Sequence, residues 1–275
     1  MESGPPPRAP RPPEAVAGAA RLFRHLSFLL PRCSVRLRSD GALRLLGAAV
    51  RLYDLTFGED RRPSPYCWRT RMALAHKRLA CEVQPVGFSE IKSIAGGGYR
   101  TVPVLQDAGR VVSDSQAIAD YLEETYPARP TLFGGAPGRA LALFVHHWVL
   151  GIQAQIFPLI CHDLLKHVLP ADQAYIRESR EKQLGRRLED AQAERDGKLP
   201  AFRANLEPLR ATLRGQSYVA GERPMYADYI VFGPFQWSRS VSPYRLLAED
   251  DPIRDWFGRM LDLHDGLGRR SPGYD

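Results

Sequence analysis

Strand-forming patterns occur only between residues 50 and 113, and they have stopped before the Gly/Pro-rich stretch Gly134–Gly138. Everything beyond that stretch reads as helix. This division restricts the chain to a small mixed sheet flanked by helices, followed by an all-helical layer. Residues 50–57 carry β-branched and aromatic side chains with partial alternation, which predicts a strand. Residues 58–63 form a polar loop. Ser64-Pro65 then opens a helix to about Lys77, with Trp68, Met72 and Ala75 at helical spacing. Serine is a favoured N-cap, and proline at the first helical position gives up only an N–H that has no partner there. Residues 81–86 predict a second strand. Residues 101–105 and 110–113 predict a hairpin about the turn at 106–109. Residues 113–126 predict an amphipathic helix with Ile118, Tyr121 and Leu122 on one face, stopped by Pro127. In the second half, residues 140–169, 171–197, 201–214 and 226–241 read as helices. Phe202, Leu206, Leu209 and Leu213 make the clearest apolar stripe.

The length of 275 residues corresponds to about two domains. With 25% charged and 44% hydrophobic residues, the composition excludes a chain disordered throughout. No apolar stretch approaches the roughly 18–20 residues that cross a bilayer, so no integral membrane segment is expected. Four separated cysteines exclude a disulfide scaffold, a zinc ribbon and a dithiol motif.

The net charge of +7 is uneven. Residues 1–49 hold eight arginines, no lysine and three acids, which leaves +2 for the rest. A nucleic-acid module needs a basic face on its folded part, and no such run is present there, so nucleic acid is not an expected partner. Met1 to Pro13 contains six prolines and cannot pack as a helix or central strand. Residues 20–46 are rich in arginine and leucine. The leader fits a transit-like or membrane-surface segment or a disordered extension, and a disordered extension is the expectation.

The chemistry-bearing segment is Ser64-Pro65-Tyr66-Cys67-Trp68. In thioredoxin-like domains this place, at the end of the first strand, holds a C-P-x-C pair. Here the first cysteine is a serine, and Cys67 alone cannot run a dithiol cycle. Cys67 falls inside the helix, where a cysteine is usually a small buried hydrophobe. Ser64 is either a plain N-cap worth about 1 kcal/mol or a hydroxyl that steadies an anion at a helix N-terminus. A thiol delivered there by a ligand would be pushed toward thiolate, and a hydrogen bond to it contributes about 1.5–3 kcal/mol, or roughly one to two pKa units. Thr101-Val102-Pro103-Val104 places a proline at a strand entrance, where a cis bond is accessible. Asp114-Ser115 opens another helix, as a capping pair or a second anion site.

Together these elements resemble a glutathione transferase over residues 51–270: Ser64-Pro65, Thr-Val-Pro-Val at 101–104, Ser-Asp-Ser at 113–115, and a helical second domain. Longer strings are similar to the bacterial glutathione-dependent β-etherases, which cleave β-aryl ethers of lignin-derived aromatics. These strings lie at 64–70, 120–130, 187–195, 249–256 and 265–269. The resemblance implies an α/β thioredoxin-like glutathione-binding domain at 50–133, an all-α domain at 140–270, and a cytoplasmic homodimer. It implies that Ser64 holds the glutathione thiolate and that Val102 pairs with the cysteinyl part beside a cis Pro103. Asp114 and Ser115 would take the γ-glutamyl end, and Arg100 the glycine carboxylate. The family's helix-starting box stands as Met225-Tyr226-Ala227-Asp228. Asp228 can reach back to the first-turn amides, but Met225 cannot cap.

The implied reaction is displacement of an aryloxide by glutathione thiolate at a carbon beside a ketone. A phenol, with pKa about 10, leaves without a strong acid. The enzyme needs positioning, a thiolate and an apolar pocket for a small aromatic substrate. Candidate pocket residues are Tyr66, Trp68, Trp148, Phe235 and Trp237, each also a candidate for plain core packing. Alternatives on the same scaffold are a general glutathione transferase or glutathionyl-reductase, and a non-catalytic glutathione-binding scaffold. His146-His147 face different directions on a helix, and His162 and His167 are five apart, so no metal site is expected. Gly96-Gly97-Gly98 lacks the following GK[ST] of a phosphate loop.

Overall fold

Four strands form the sheet: β1 (Val50–Leu55), β2 (Cys81–Val86), β3 (Val104–Asp107) and β4 (Arg110–Ser113). The structure, a computed structural model, describes residues 50–274. The expectation for the leader, residues 1–49, falls outside them. The strand order is β2-β1-β3-β4, with β1 parallel to β2 and antiparallel to β3, and β3 antiparallel to β4. Register brings Leu52 opposite Leu105 and beside Val83. The β3–β4 turn holds Ala108 and Gly109 at φ of 47° and 84°, the doubly left-handed conformation that matches hairpin twist.

Helix α1 (Pro65–His76) crosses from β1 to β2, and α2 (Ser115–Thr125) follows β4. The helical half contains α3 (Ala136–Ile160), α4 (Gln173–Leu184), α5 (Leu188–Ala193), α6 (Arg195–Asn205), α7 (Glu207–Gly215), α8 (Tyr226–Val241) and α9 (Pro252–Gly266). Both α1 and α3 pack on α8. Because α1 is covered by the sheet and by α8, it is buried nearly all round, including Cys67, Trp68, Arg69, Thr70 and Met72.

The expected helices differ in four places. The helix expected at 140–169 ends at Ile160 and continues as two 3₁₀ turns. The one expected at 171–197 is interrupted by Gly185, left-handed at φ 69°, a helix-ending conformation that glycine adopts without steric cost. The stripe at 201–214 spans a break at Leu206, although Phe202, Leu206 and Leu209 are all buried. Helix α9 lies beyond the four segments that the sequence pattern predicts as helix.

One further expectation is corrected. Helix α3 is long and apolar enough to cross a membrane by length and composition. Its Val145, Val149, Ile152 and Ile156 nevertheless pack in the core, while Leu141, Leu143, Phe144 and Leu150 are exposed. Asp228 does more than start α8. Its carboxylate accepts from the backbone N–H groups of Val219 (2.7 Å), Ala220 (3.4 Å) and Met225 (3.1 Å), and from the Trp256 indole (3.1 Å). Met225 supplies no side-chain cap.

Polar ties hold the α/β half to the helices. Asp172, buried ahead of α4, accepts from the Phe88 and Ser89 N–H groups at 2.7 and 2.9 Å. The Tyr226 hydroxyl donates to the Ser115 carbonyl at 2.6 Å. Within the α/β half, Lys77, buried at the end of α1, pairs with Glu123 of α2 at 2.5 Å.

Candidate glutathione-binding cleft

The loop from β1 into α1 is fixed before Ser64 is reached. The Trp68 indole donates to the Arg62 carbonyl at 2.7 Å, and the Phe57 N–H to the Arg61 carbonyl at 2.8 Å. The Arg61 guanidinium donates to the Ser240 carbonyl at 2.8 Å. Beneath them Asp54 is fully buried, with Arg71 and Arg62 at 3.4 and 3.5 Å. Burial pushes its carboxyl pKa up despite those two cations.

Ser64 is the N-cap of α1. Its Oγ accepts the Cys67 N–H at 3.1 Å, so the hydroxyl hydrogen is not used in that bond. Only 6% of Ser64 is exposed; the residue is sunk in the wall of a cleft rather than set on a prominent helix tip. The cleft encloses about 440 Å³. Ser64 and Tyr66 line one side, with Arg100, Thr101 and Val102 beside them. Leu150, Gln153, Ala154 and Phe157 of α3, Ile176, Arg180 and Gln183 of α4, and Trp237 of α8 also contribute. Phe157 and Trp237 stack with centroids 6.1 Å apart at 21°. No acidic side chain lines the cleft, and its charged residues are Arg100 and Arg180.

The expected residues divide. Ser64, Tyr66, Arg100, Val102 and Trp237 share the cleft. The Val102–Pro103 bond is cis, the isomer that the resemblance implied, but Pro103 is buried off the lining. Asp114 and Ser115 are also off the lining. Asp114 Oδ1 is occupied as the α2 cap, accepting from Gln116 and Ala117 N–H groups at 2.8 and 3.0 Å. Ser115 Oγ is buried and has no hydrogen-bond partner.

Three pocket candidates lie elsewhere. Trp68 is fully buried, edge-on to Phe232 at 5.8 Å. Phe235 faces away from the cleft and packs on Trp256 and Phe257. Trp148 sits two residues, roughly 200°, round α3 from the cleft-lining Leu150 and packs against the core. Sequence reasoning did not single out Leu150, Phe157, Ile176 or Arg180. Their spacing shows a helical face, but only the packing of α3 and α4 shows which face turns to the cleft.

Cys67 is fully buried below Ser64. Burial, then the neighbouring Asp54 charge, pushes its thiol pKa well above the usual range. It is therefore not a nucleophile in this fold. Behind the cleft wall Arg69 is also buried, its guanidinium 3.0 Å from His146 Nδ1 and 4.6 Å from the Tyr66 ring centroid. Among the described residues no group of three His, Cys, Asp or Glu side chains is placed to hold a metal ion. A larger hollow of about 680 Å³ lies between α8, α9 and the tail at 271–274, and it contains none of the residues around Ser64.

Residues 63–125 match the model of the glutathione S-transferase N-terminal domain, and residues 140–261 that of the C-terminal domain. The chain belongs to the glutathione transferase superfamily. Among solved structures it is similar to a glutathione transferase from Phanerochaete chrysosporium, 29% identical, with a TM-score of 0.63 over 80% of this chain and 92% of that one. It shares its fold with a glutathione S-transferase of Ceriporiopsis subvermispora solved with glutathione (24% identical, TM-score 0.69, covering 82% of this chain and 99% of that one). A curated relative, maleylacetoacetate isomerase of Dictyostelium discoideum, is 32% identical over 87 residues, which is 27% of this chain and 37% of the relative. The chain thus spans about a third of the length of the curated relatives it matches.

Proposed function

We propose that the Ser64 cleft binds glutathione and that Ser64 keeps its sulfur ionised for attack on an aromatic electrophile. One observation carries this reading. Ser64 caps the N-terminus of α1 on the wall of an acid-free, largely apolar cleft, and because its Oγ accepts the Cys67 N–H, its hydroxyl can donate to a sulfur brought there. A donor there stabilises a thiolate, and the helix end adds to the effect. Val102 offers backbone groups on the same wall. Arg100 on the lining suits the glycine carboxylate, while Asp114 and Ser115 are kept for the γ-glutamyl end on the resemblance alone, since both lie off the lining of this cleft. In this reading residues 50–133 bind the tripeptide and residues 140–270 supply the apolar wall.

The reaction assigned is β-aryl ether cleavage. The thiolate attacks the carbon beside the ketone, the C–S bond forms as the C–O bond breaks, and the aryloxide leaves with the electron pair and takes a proton from water. Tyr66, Phe157 and Trp237 face the space where the rings would lie. A second reading, glutathione transfer to other electrophiles, is favoured by relatives named glutathione S-transferase. Incubation with glutathione and a β-aryl ether ketone separates the two. Release of free phenol, lost in Ser64→Ala, supports the first, whereas turnover of activated halides alone supports the second.

The protein is further assigned to the cytoplasm as a homodimer, with the exposed Leu143 and Phe144 of α3 as support for self-association. A monomeric mass by light scattering contradicts that assignment.

A further inference from the structure

Helix α4 carries two arginines with opposite circumstances. Arg177 pairs with Glu181 at 3.0 Å and with Glu189 at 2.9 Å. Arg180 lies about 60° further round the helix, on the strip that Ile176, Arg180 and Gln183 present to the cleft at i, i+4 and i+7. Among the described residues Arg180 has no ion pair and no hydrogen bond. Its contacts are the Phe88 ring, 5.9 Å from the guanidinium carbon, and the weak electrostatic influence of Tyr175. Burial lowers its pKa, so the cation has lost much of its water without gaining a counter-charge. A half-buried guanidinium with unused donors in an acid-free wall is a receptor for a planar anion.

We infer that Arg180 receives a carboxylate carried by the second substrate, so the electrophiles of this cleft are aromatic acids rather than neutral aromatics. The inference rests on the Ser64 reading and makes it narrower. Arg100 remains available for the glycine carboxylate, so the two cationic lining residues match two separate carboxylates. The aromatic part would lie against Phe157 and Trp237, between the sulfur at Ser64 and the acid at α4. Arg180 binds and orients in this account. It takes no part in bond making.

Equilibrium binding tests this without turnover. The probes are glutathione, S-benzylglutathione, S-(4-carboxybenzyl)glutathione and the methyl ester of the last. The wild-type protein should bind the carboxylate about tenfold more tightly than the ester, as one charge-assisted hydrogen bond implies. Arg180→Gln should abolish that preference and Arg180→Lys should keep part of it. Both variants should bind glutathione itself within about twofold of wild type. Equal binding of acid and ester by the wild type overturns the inference. So does an Arg180→Gln loss that is as large for glutathione alone, which assigns Arg180 to the tripeptide. Failure of S-benzylglutathione to bind is a different result and overturns the Ser64 reading on which this one stands.

Discussion

Gly233 in α8 lies so close to Pro65 in α1 that a Cβ on the glycine would stand 2.5 Å from the Pro65 carbonyl oxygen. The obstacle is backbone, which has little room to yield. The first turn of α1, and with it Ser64, is seated by the absence of one carbon atom. Gly233→Ala should therefore cost about 1–3 kcal/mol through overpacking, although alanine is the better helix former. The melting midpoint should fall by roughly 2–4 °C for each kcal/mol. A midpoint equal to wild type would show that α1 and α8 separate freely.

Asp228 gathers three backbone N–H groups and the Trp256 indole on one buried carboxylate. Asp228→Asn replaces one accepting oxygen by an N–H₂ that faces donors. Loss of charge-assisted bonds in a buried network should cost about 3 kcal/mol or more, read as a midpoint lower by roughly 6–12 °C. Calorimetry checks this, and a shift of under about 2 °C contradicts it.

The tertiary layout was legible where the signal was local. Ser64-Pro65 marked the start of α1 because capping chemistry is written in adjacent residues. The turn at 106–109 marked the hairpin for the same reason. Asp251-Pro252 carries the same kind of signal at α9, where Asp251 Oδ1 accepts the Ile253 N–H at 3.0 Å. The long apolar run of α3 did not reveal its end, because continuation into 3₁₀ turns keeps helical spacing. The cleft was legible on its Ser64 side and not on its far wall. Whether Trp148 or Phe157 faces the ligand depends on how α3 is rotated against α8, a property of packing that no single helix encodes. Trp68 and Phe235 serve the core instead, because aromatic bulk near the site is equally useful there.

Acid sensitivity should come partly from two histidines. His76 Nδ1 lies 2.6 Å from the Tyr229 hydroxyl, which lies 3.3 Å from His264 Nε2. Burial, then the charge of His76, holds His264 down at about 4. Burial also lowers His76, with Lys77 and Arg78 adding to it against Glu123 and the Thr131 backbone. Both rings fold neutral. As pH falls from the ordinary histidine value of 6.5 toward about 4, the unfolded chain takes up protons that the folded chain refuses. Stability from this pair is fully present above 6.5 and is lost across that window. Midpoints measured at several pH values should show this limb in the wild type and a shallower one in His264→Gln. Parallel curves for the two proteins would contradict it.

Cys67 should be dispensable for chemistry. Its thiol is buried and held protonated by burial and by Asp54. Cys67→Ala should retain kcat/KM within about twofold of wild type, at some cost in stability from the vacated volume. A loss above about tenfold would point to a protein thiol in the reaction.

Ser64 joins structure and chemistry, and the two are separable. Removing its cap should cost about 1 kcal/mol of stability, whereas removing its donor should raise the pKa of a bound thiol by roughly one to two units. The direct measurement is a titration of the thiolate ultraviolet absorbance of glutathione bound to wild type and to Ser64→Ala. The bound thiol should ionise roughly one to two units below the free value of about 8.5 in the wild type, and close to that free value in the variant. The same ionisation in both proteins would contradict the assignment of Ser64 to the sulfur.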